Sequence, residues 1–258
     1  MRLGVVSDIH ANLHALDAVL EALRRERVDG ILCLGDVVGY GALPNECVDR
    51  LREVEAATVA GNHDLVASGR QGVERCEALA LETLRWTIRV LRDDVRTYLA
   101  DLALHVEPSE AVVAVHGSLH DPWRYVARST GAARELAALA RERPDARLLL
   151  LGHTHVAQAF GGLAGARDAS GDVALDPAEP WLLNPGAVGQ SRDEQVVARA
   201  LVVDLGARTA RFLSVPYDVD AARAALQRAG LPLAGVHLPP DPAPTRRRGR
   251  LARVRRGR

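Results

Sequence analysis

Residues 3–10 read Leu-Gly-Val-Val-Ser-Asp-Ile-His, and residues 13–24 then carry apolar side chains at Leu13, Leu16, Leu20 and Leu23. The first run suits a strand buried on both faces, and the second has the three-and-four spacing of one helix face. Between them lies a polar loop that begins at Asp8. The unit recurs downstream. ILCLGD at 31–36 is a second apolar strand, Asn45 to Glu53 a second helix, and ATVAGNHD at 57–64 a third strand running into a polar loop. Alternation of this kind predicts an α/β fold whose strands deliver polar residues at their C-terminal ends, where open sheets place their sites.

Working outward, residues 74–104 carry a helical apolar pattern through Leu79, Leu84, Ile88, Leu91, Val95, Leu99 and Leu102, enough for one or two helices. Strands return at 111–117 and 147–155, separated by a helix over 131–142. From residue 156 the texture changes to short β segments with Gly, Asp and Pro turns. ALVVDL and ARFLSV flank Gly206 to Thr209 as a hairpin, which predicts a second, mostly antiparallel sheet. A last helix covers Asp220 to Arg228. The Pro-rich stretch at 239–244 and the arginine tail behind it are expected to be disordered.

Composition narrows the class. The chain has 258 residues, 48% of them apolar, enough for a sizeable core. No run of eighteen apolar residues occurs, and the N-terminus lacks the basic-then-apolar design of a signal peptide, so a cytoplasmic protein is expected. Cys33, Cys47 and Cys76 form no CxxC pair and are expected to be reduced thiols, Cys33 as a small core residue. The formal charge of zero hides an asymmetry: the last thirteen residues, Arg246 to Arg258, hold eight arginines and no acid, leaving 25 basic against 33 acidic residues elsewhere. No lysine occurs. That bias toward arginine and alanine suits a GC-rich coding genome and carries no functional argument.

Five strand ends present ligand or acid/base side chains in turn: Asp8 with His10, Asp36, Asn62 with His63 and Asp64, His116, then His153 with His155. Gly35, Gly61, Gly117 and Gly152 stand beside them, residues that let backbone turn sharply and approach a ligand. A lone strand-end histidine is most often a hydrogen-bonded core or rim residue. Five such groups in register point instead to a shared centre.

These motifs, D-x-H at 8–10, G-D at 35–36, G-N-H-D at 61–64, H-G at 116–117 and G-H-T-H at 152–155, resemble those of the calcineurin-like metallophosphoesterases, in that family's order. The resemblance continues through GDVVGYGALPNEC, HGSLHDPW and NPGAVGQSRD and covers roughly residues 1–235. It implies a four-layer α/β/β/α sandwich, two mixed β-sheets face to face with helices outside. The domain would occupy residues 1–238, with a helical insertion at 65–107 over or beside the cleft and a tail at 239–258.

The resemblance further implies two divalent metal ions, manganese favoured and iron or zinc also suited to mixed Asp, Asn and His ligands. Asp8, His10 and His155 would hold one, and Asn62, His116 and His153 the other. Asp36 would bridge them through its two oxygens. Such a pair neutralises a phosphate ester, lowers the pKa of a bound water and steadies the leaving oxygen. His63 is implied as general acid, with Asp64 orienting it and raising its pKa.

Other residues attract less weight. His14 follows His10 at the i, i+4 spacing of a helical pair, but His10 lies ahead of the helix, and His105, His120 and His237 have no motif support. Tyr40, Asn12 and Asn184 flank the cleft and divide between substrate contact and loop structure. Ala11 and Ala187 stand where the family often has glycine and serine. Val37 to Gly41 reads V-V-G-Y-G where the protein Ser/Thr phosphatases of the superfamily carry a phosphate-gripping Asp-Arg pair. Phosphoprotein phosphatase activity is therefore not expected. A phosphodiesterase on a small phosphate ester or nucleotide is favoured. A dinucleoside polyphosphate hydrolase, a phosphomonoesterase and a catalytically inactive scaffold are the alternatives. For the arginine tail, a solvated charge run is favoured over contact with nucleic acid, and no membrane partner is expected. Oligomeric state is not legible.

Overall fold

The first strand, β1 (Arg2–Val6), shows why the opening run is apolar throughout: Leu3 and Val5 face one core and Val6 the other. Successive side chains of a strand point to opposite faces, so a strand between two apolar layers has no polar position to spare. The computed structural model that shows this describes residues 1–194 and 196–239. After β1 come α1 (Leu13–Arg25), β2 (Gly30–Cys33), α2 (Pro44–Glu53), β3 (Ala57–Thr58), α3 (Asn62–Ala67), α4 (Ala78–Val90) and α5 (Asp93–Asp101). Then follow β4 (His105–Ser109), β5 (Val112–Val115), α6 (Ser129–Glu142) and β6 (Leu148–Leu150). β7 (Gln158–Gly161), β8 (Gly165–Arg167), β9 (Asp172–Ala174), β10 (Trp181–Asn184), β11 (Ala198–Asp204), β12 (Thr209–Val215), α7 (Val219–Ala229) and a short 3-10 helix (Leu233–Gly235) complete the order of the described residues.

Two six-stranded sheets face each other, with strand orders β3-β2-β1-β11-β12-β9 and β4-β5-β6-β10-β7-β8. Leu3, Val5, Leu32 and Leu201 of the first meet Val112, Leu148, Leu150 and Leu183 of the second in the central core. Outside the first sheet, Leu16, Val19, Leu51, Leu65, Leu84 and Leu99 of the helices close a second core. Outside the other, Leu136 and Leu139 of α6 pack on Val113, Leu149 and Leu182. This is the four-layer sandwich of two mixed sheets. Caps set the helix limits locally: the Asn12 side chain accepts from Ala15 N at the start of α1, and Gly230, at φ 68°, ends α7.

The structure departs from expectation in three places. The β11–β12 hairpin forms as read, with Asp204 opposite Thr209, but β11 pairs antiparallel with β1, so it extends the first sheet and founds no separate antiparallel one. In the other sheet β5, β6 and β10 run parallel. The expected third strand is only two residues long, and Asn62, His63 and Asp64 open a helix where a loop was expected. Finally, Leu65, Leu84, Val95 and Leu99 share the α1–α2 core, so the 65–107 segment is part of the outer layer as well as a wall of the cleft. From residue 240 onward the arginine tail lies outside the described residues. Cys33 and Cys47 are buried, and all three cysteines are free thiols. No described helix is long and apolar enough to cross a membrane.

Candidate metal centre

The C-terminal ends of β1, β2, β3, β5 and β6 meet at one end of the sandwich. Backbone bonds lock the loops together: Asp8 N donates to Gly35 O at 3.0 Å, His10 N to Asp36 O at 2.9 Å, and Gly152 N to His116 O at 2.8 Å. Every residue expected to bind metal is at least 95% buried. Three ligand-competent groups emerge, Asp8 with His10 and His155, Asp36 with His116 and His153, and, between them, His10 with Asp36 and His63, the donor atoms within each lying no more than 4.8 Å apart. Asn62 joins the second, its Oδ1 3.1 Å from His116 Nε2. The side chains that the sequence scattered over nearly 150 positions are thus brought to one place.

The hydrogen-bond chemistry tests whether cations fit. His10 Nδ1 faces the Val38 carbonyl at 3.2 Å, His155 Nδ1 the Gln190 carbonyl at 2.9 Å, and His116 Nδ1 the Leu34 carbonyl at 2.7 Å. A carbonyl only accepts, so each Nδ1 carries a proton and each Nε2 turns inward, with a lone pair free in the neutral ring. The Nε2 atoms of His10 and His155 then confront one another at 3.0 Å. His116 Nε2 confronts the Asn62 oxygen and, at 3.3 Å, Asp36 Oδ2. Asp8 Oδ1 and His153 Nε2 are buried with no partner. Lone pairs turned against one another, as at His10 and His155, and carboxylate oxygens buried beside them suit positive ions, and where His116 meets Asp36 a proton takes that place when no cation does.

Charge follows the same layout. Burial, then the His63 imidazole, hold His10 well below its ordinary pKa, and burial with His10 does the same to His155. Burial and then His116 press His153 down to about 3. For His116 burial opposes the charged form, but the Asp36 carboxylate outweighs it and lifts the imidazole to about 9. Asp36 is held well below the usual range: burial would raise it, and His116 and His63 prevail. Burial raises Asp8 to about 6.

Two implied roles change on inspection. Asp36 does not offer both oxygens to the ligands. Its Oδ1 accepts from His63 N at 2.8 Å, while Oδ2 alone faces His116 at 3.3 Å and His10 at 3.8 Å, so any sharing runs through one oxygen. Nor does Asp64 orient His63. Its carboxylate accepts from Val38 N at 3.1 Å and Gly61 N at 3.0 Å, and His63 Nδ1 is buried without a partner. The reason is helical geometry: Asp64 is the third residue of α3, where a carboxylate reaches back to the capping N–H. Neighbouring helix positions point about 100° apart, so Asp64 and His63 diverge. The expected rise in the His63 pKa is also absent, since burial, only partly opposed by Asp36, lowers it.

Two glycines are obligatory on steric grounds. A Cβ at Gly61 would stand 2.1 Å from Asp36 Oδ1, and one at Gly39, where φ is +88°, would stand 2.2 Å from His63 Nδ1.

Asn12 and Asn184 prove structural. Asn12 caps α1 and donates to Gly189 O at 2.9 Å, and Asn184 donates to Gly152 O at 2.7 Å behind the His153 loop. Tyr40 lies edge-on to His10, ring centres 4.6 Å apart, and lines the cleft. His14 lies half-buried on α1, and His105 is exposed on β4. His120 pairs with Glu142, and His237 meets the Asp193 carbonyl. None of the four belongs to any of the three ligand groups.

The cleft holds about 220 Å³ and is also walled by residues the sequence reading did not single out, Arg75, Trp123, Tyr125 and Arg192. The Tyr125 ring, 54% exposed, lies 4.0 Å from that of His153. Trp123 and Tyr125 sit in HGSLHDPW and the residues just after it, and Arg192 in NPGAVGQSRD, both segments already conspicuous. That was the available signal.

A family model for the calcineurin-like phosphoesterase superfamily domain matches residues 1–207. An uncharacterized protein of Methanocaldococcus jannaschii is 30% identical over 235 residues, 89% of this chain and 93% of that one. A metallophosphoesterase from Sphaerobacter thermophilus superposes with a TM-score of 0.79 at 33% identity, over 92% of this chain and 96% of its own. A hypothetical protein from Pyrococcus horikoshii shares the fold, with a TM-score of 0.75 at 17% identity over 91% and 96% of the two chains.

Proposed function

The chain belongs to the calcineurin-like phosphoesterase superfamily, and from that membership we propose that it is a dinuclear metal-dependent phosphodiesterase acting on a small nucleotide or related ester. One observation carries the reading: five strand ends converge so that the Nε2 atoms of His10 and His155 confront one another at 3.0 Å with the carboxylates of Asp8 and Asp36 and further imidazoles gathered beside them. Asp8, His10 and His155 would hold one ion, Asn62, His116 and His153 the other, with Asp36 Oδ2 between the groups. Manganese is favoured, and iron or zinc fits the same donors. When bound, two such cations would neutralise the ester, lower the pKa of a water and steady the leaving oxygen.

The protein's own groups do the rest. His63 lines the cleft within ligand reach of His10 and Asp36, its backbone N held by Asp36, and would pass a proton to the leaving oxygen. Asp64 is a positioning residue that ties Val38 and Gly61 together and so fixes the turn presenting His63. A diester is favoured over a monoester by the aromatic lining of the cleft. Trp123 and Tyr125 meanwhile offer a flat wall against which a second esterified group or a base can lie.

The test is chelator-treated protein reloaded with manganese, iron or zinc and assayed on bis-p-nitrophenyl phosphate, the corresponding monoester and a dinucleoside polyphosphate. Faster cleavage of the diester is expected. Inertness toward all three with every metal would hand the site to the scaffold reading. His63→Ala is expected to lose about 100-fold in kcat while retaining its metal; undiminished turnover would strip His63 of its role.

A further inference from the structure

Two arginines line the cleft, and their circumstances differ. Arg75 is neutralised, its guanidinium 3.2 and 3.0 Å from the two oxygens of Asp121 and stacked 5.1 Å over the Trp123 ring. Arg192 has no such partner. Among the described residues no carboxylate pairs with it, its Nε is buried without an acceptor, and its one side-chain contact is a long 3.4 Å bond to Gln190 Oε1. A half-buried guanidinium left this way keeps both its charge and its donors for something else.

Its placement says what. Arg192 shares the cleft wall with Tyr40, His63 and His155. Its support is rigid: Gln190 is fully buried, donates through Nε2 to Ala234 O at 2.9 Å, and lends its own carbonyl to His155 Nδ1. Ser191, between the two, bridges to His237. One three-residue stretch therefore fixes both a ligand histidine and the arginine, so the guanidinium is held in register with the ligand groups. The field of Arg192 is felt at His10, His63 and His155 alike.

We propose that Arg192 is the phosphoryl-binding residue of this cleft, its planar fork donating to the non-bridging oxygens of a phosphate ester or of inorganic phosphate. This rests on the phosphoesterase reading, and it supplies the cation that the Val37 to Gly41 segment lacks. Arginine is suited to the task because two parallel N–H donors match two phosphoryl oxygens.

The experiment is calorimetric titration of inorganic phosphate into metal-loaded full-length protein, wild type beside Arg192→Gln, Arg192→Lys and Arg75→Gln, with metal content measured on each. Arg192→Gln is expected to weaken phosphate binding about 10- to 100-fold, with Arg192→Lys intermediate and Arg75→Gln within about twofold of wild type. For a diester substrate, KM should rise more than kcat falls in the Arg192 variants. Phosphate affinity unchanged in Arg192→Gln at full metal content would overturn the proposal, as would an equal loss in Arg75→Gln, which would reduce the effect to general cleft charge. Metal loss in both Arg192 variants would overturn it too, by making Arg192 a brace for the His155 loop. A wild-type protein that binds phosphate through Arg192 yet cleaves no ester would sink the phosphoesterase reading and leave this one standing.

Discussion

The two ends of the strands carry the same kind of backbone strain for opposite purposes. At the ligand end, Asp8, His10, Ala11, Asp36, Tyr40, His153 and His155 all take positive φ, and at the far end Arg27, Glu55 and Arg208 do so. Each non-glycine residue in that region gives up about 1–2 kcal/mol. The first set is buried and aims side chains at one another, whereas the second turns the chain at the surface. Strain at the far end is incidental and replaceable. At the ligand end it comes with the convergence of the side chains, which no relaxed set of strand-to-helix turns would bring so close.

Asp36→Asn separates the two ends most sharply. Turnover should fall by about 10³-fold or more, since one oxygen faces both ligand groups, while the metal-free melting temperature shifts by less than about 4 °C. A large loss of stability with activity retained would reverse the assignment of the two ends. Trp181→Ala probes the far end, where Trp181 is buried beside a cavity of about 400 Å³ between the sheets. Denaturant unfolding should show a cost of about 3 kcal/mol, with turnover per folded molecule and metal content unchanged. Asp64→Asn lies between these, because it turns one of the two oxygens that accept from Val38 N and Gly61 N into a donor within the ligand end. A cost of about 1.5–3 kcal/mol in stability is expected, with a lowered kcat whose pH profile keeps its shape; a shifted profile would return Asp64 to direct partnership with His63. Smallest of all, Glu55→Gly should stabilise the fold by about 0.5–1 kcal/mol at an exposed turn and leave kcat untouched.

The ligand residues were legible because each follows an apolar run, so the same periodicity that locates a strand also locates its end. Asp8 after Leu-Gly-Val-Val-Ser and His116 after Val-Val-Ala-Val needed no tertiary information to be placed at a common edge. What escaped depended on facts a linear pattern does not contain. The partners of Asp64 follow from its being third in a helix, and the short strand at 57–58 concealed where that helix began. Arg192, Trp123 and Tyr125 lie in loops without periodicity, where only the folded path decides which side chains reach the cleft. The placement of β11 against β1 joins residues nearly 200 apart, and the hairpin signal that identified β11 and β12 says nothing about which edge they join.

That last pairing has a temporal consequence. β1 lies between β2 and β11, so on the ribosome its second edge stays open until residues 198–204 have emerged, long after the Asp8 and His10 loop has left the exit tunnel. His155 and its anchor at Gln190 also arrive late. A nascent chain therefore exposes a partial set of ligands on an unfinished sheet, and the centre can be completed only after residues 198–204 have been made.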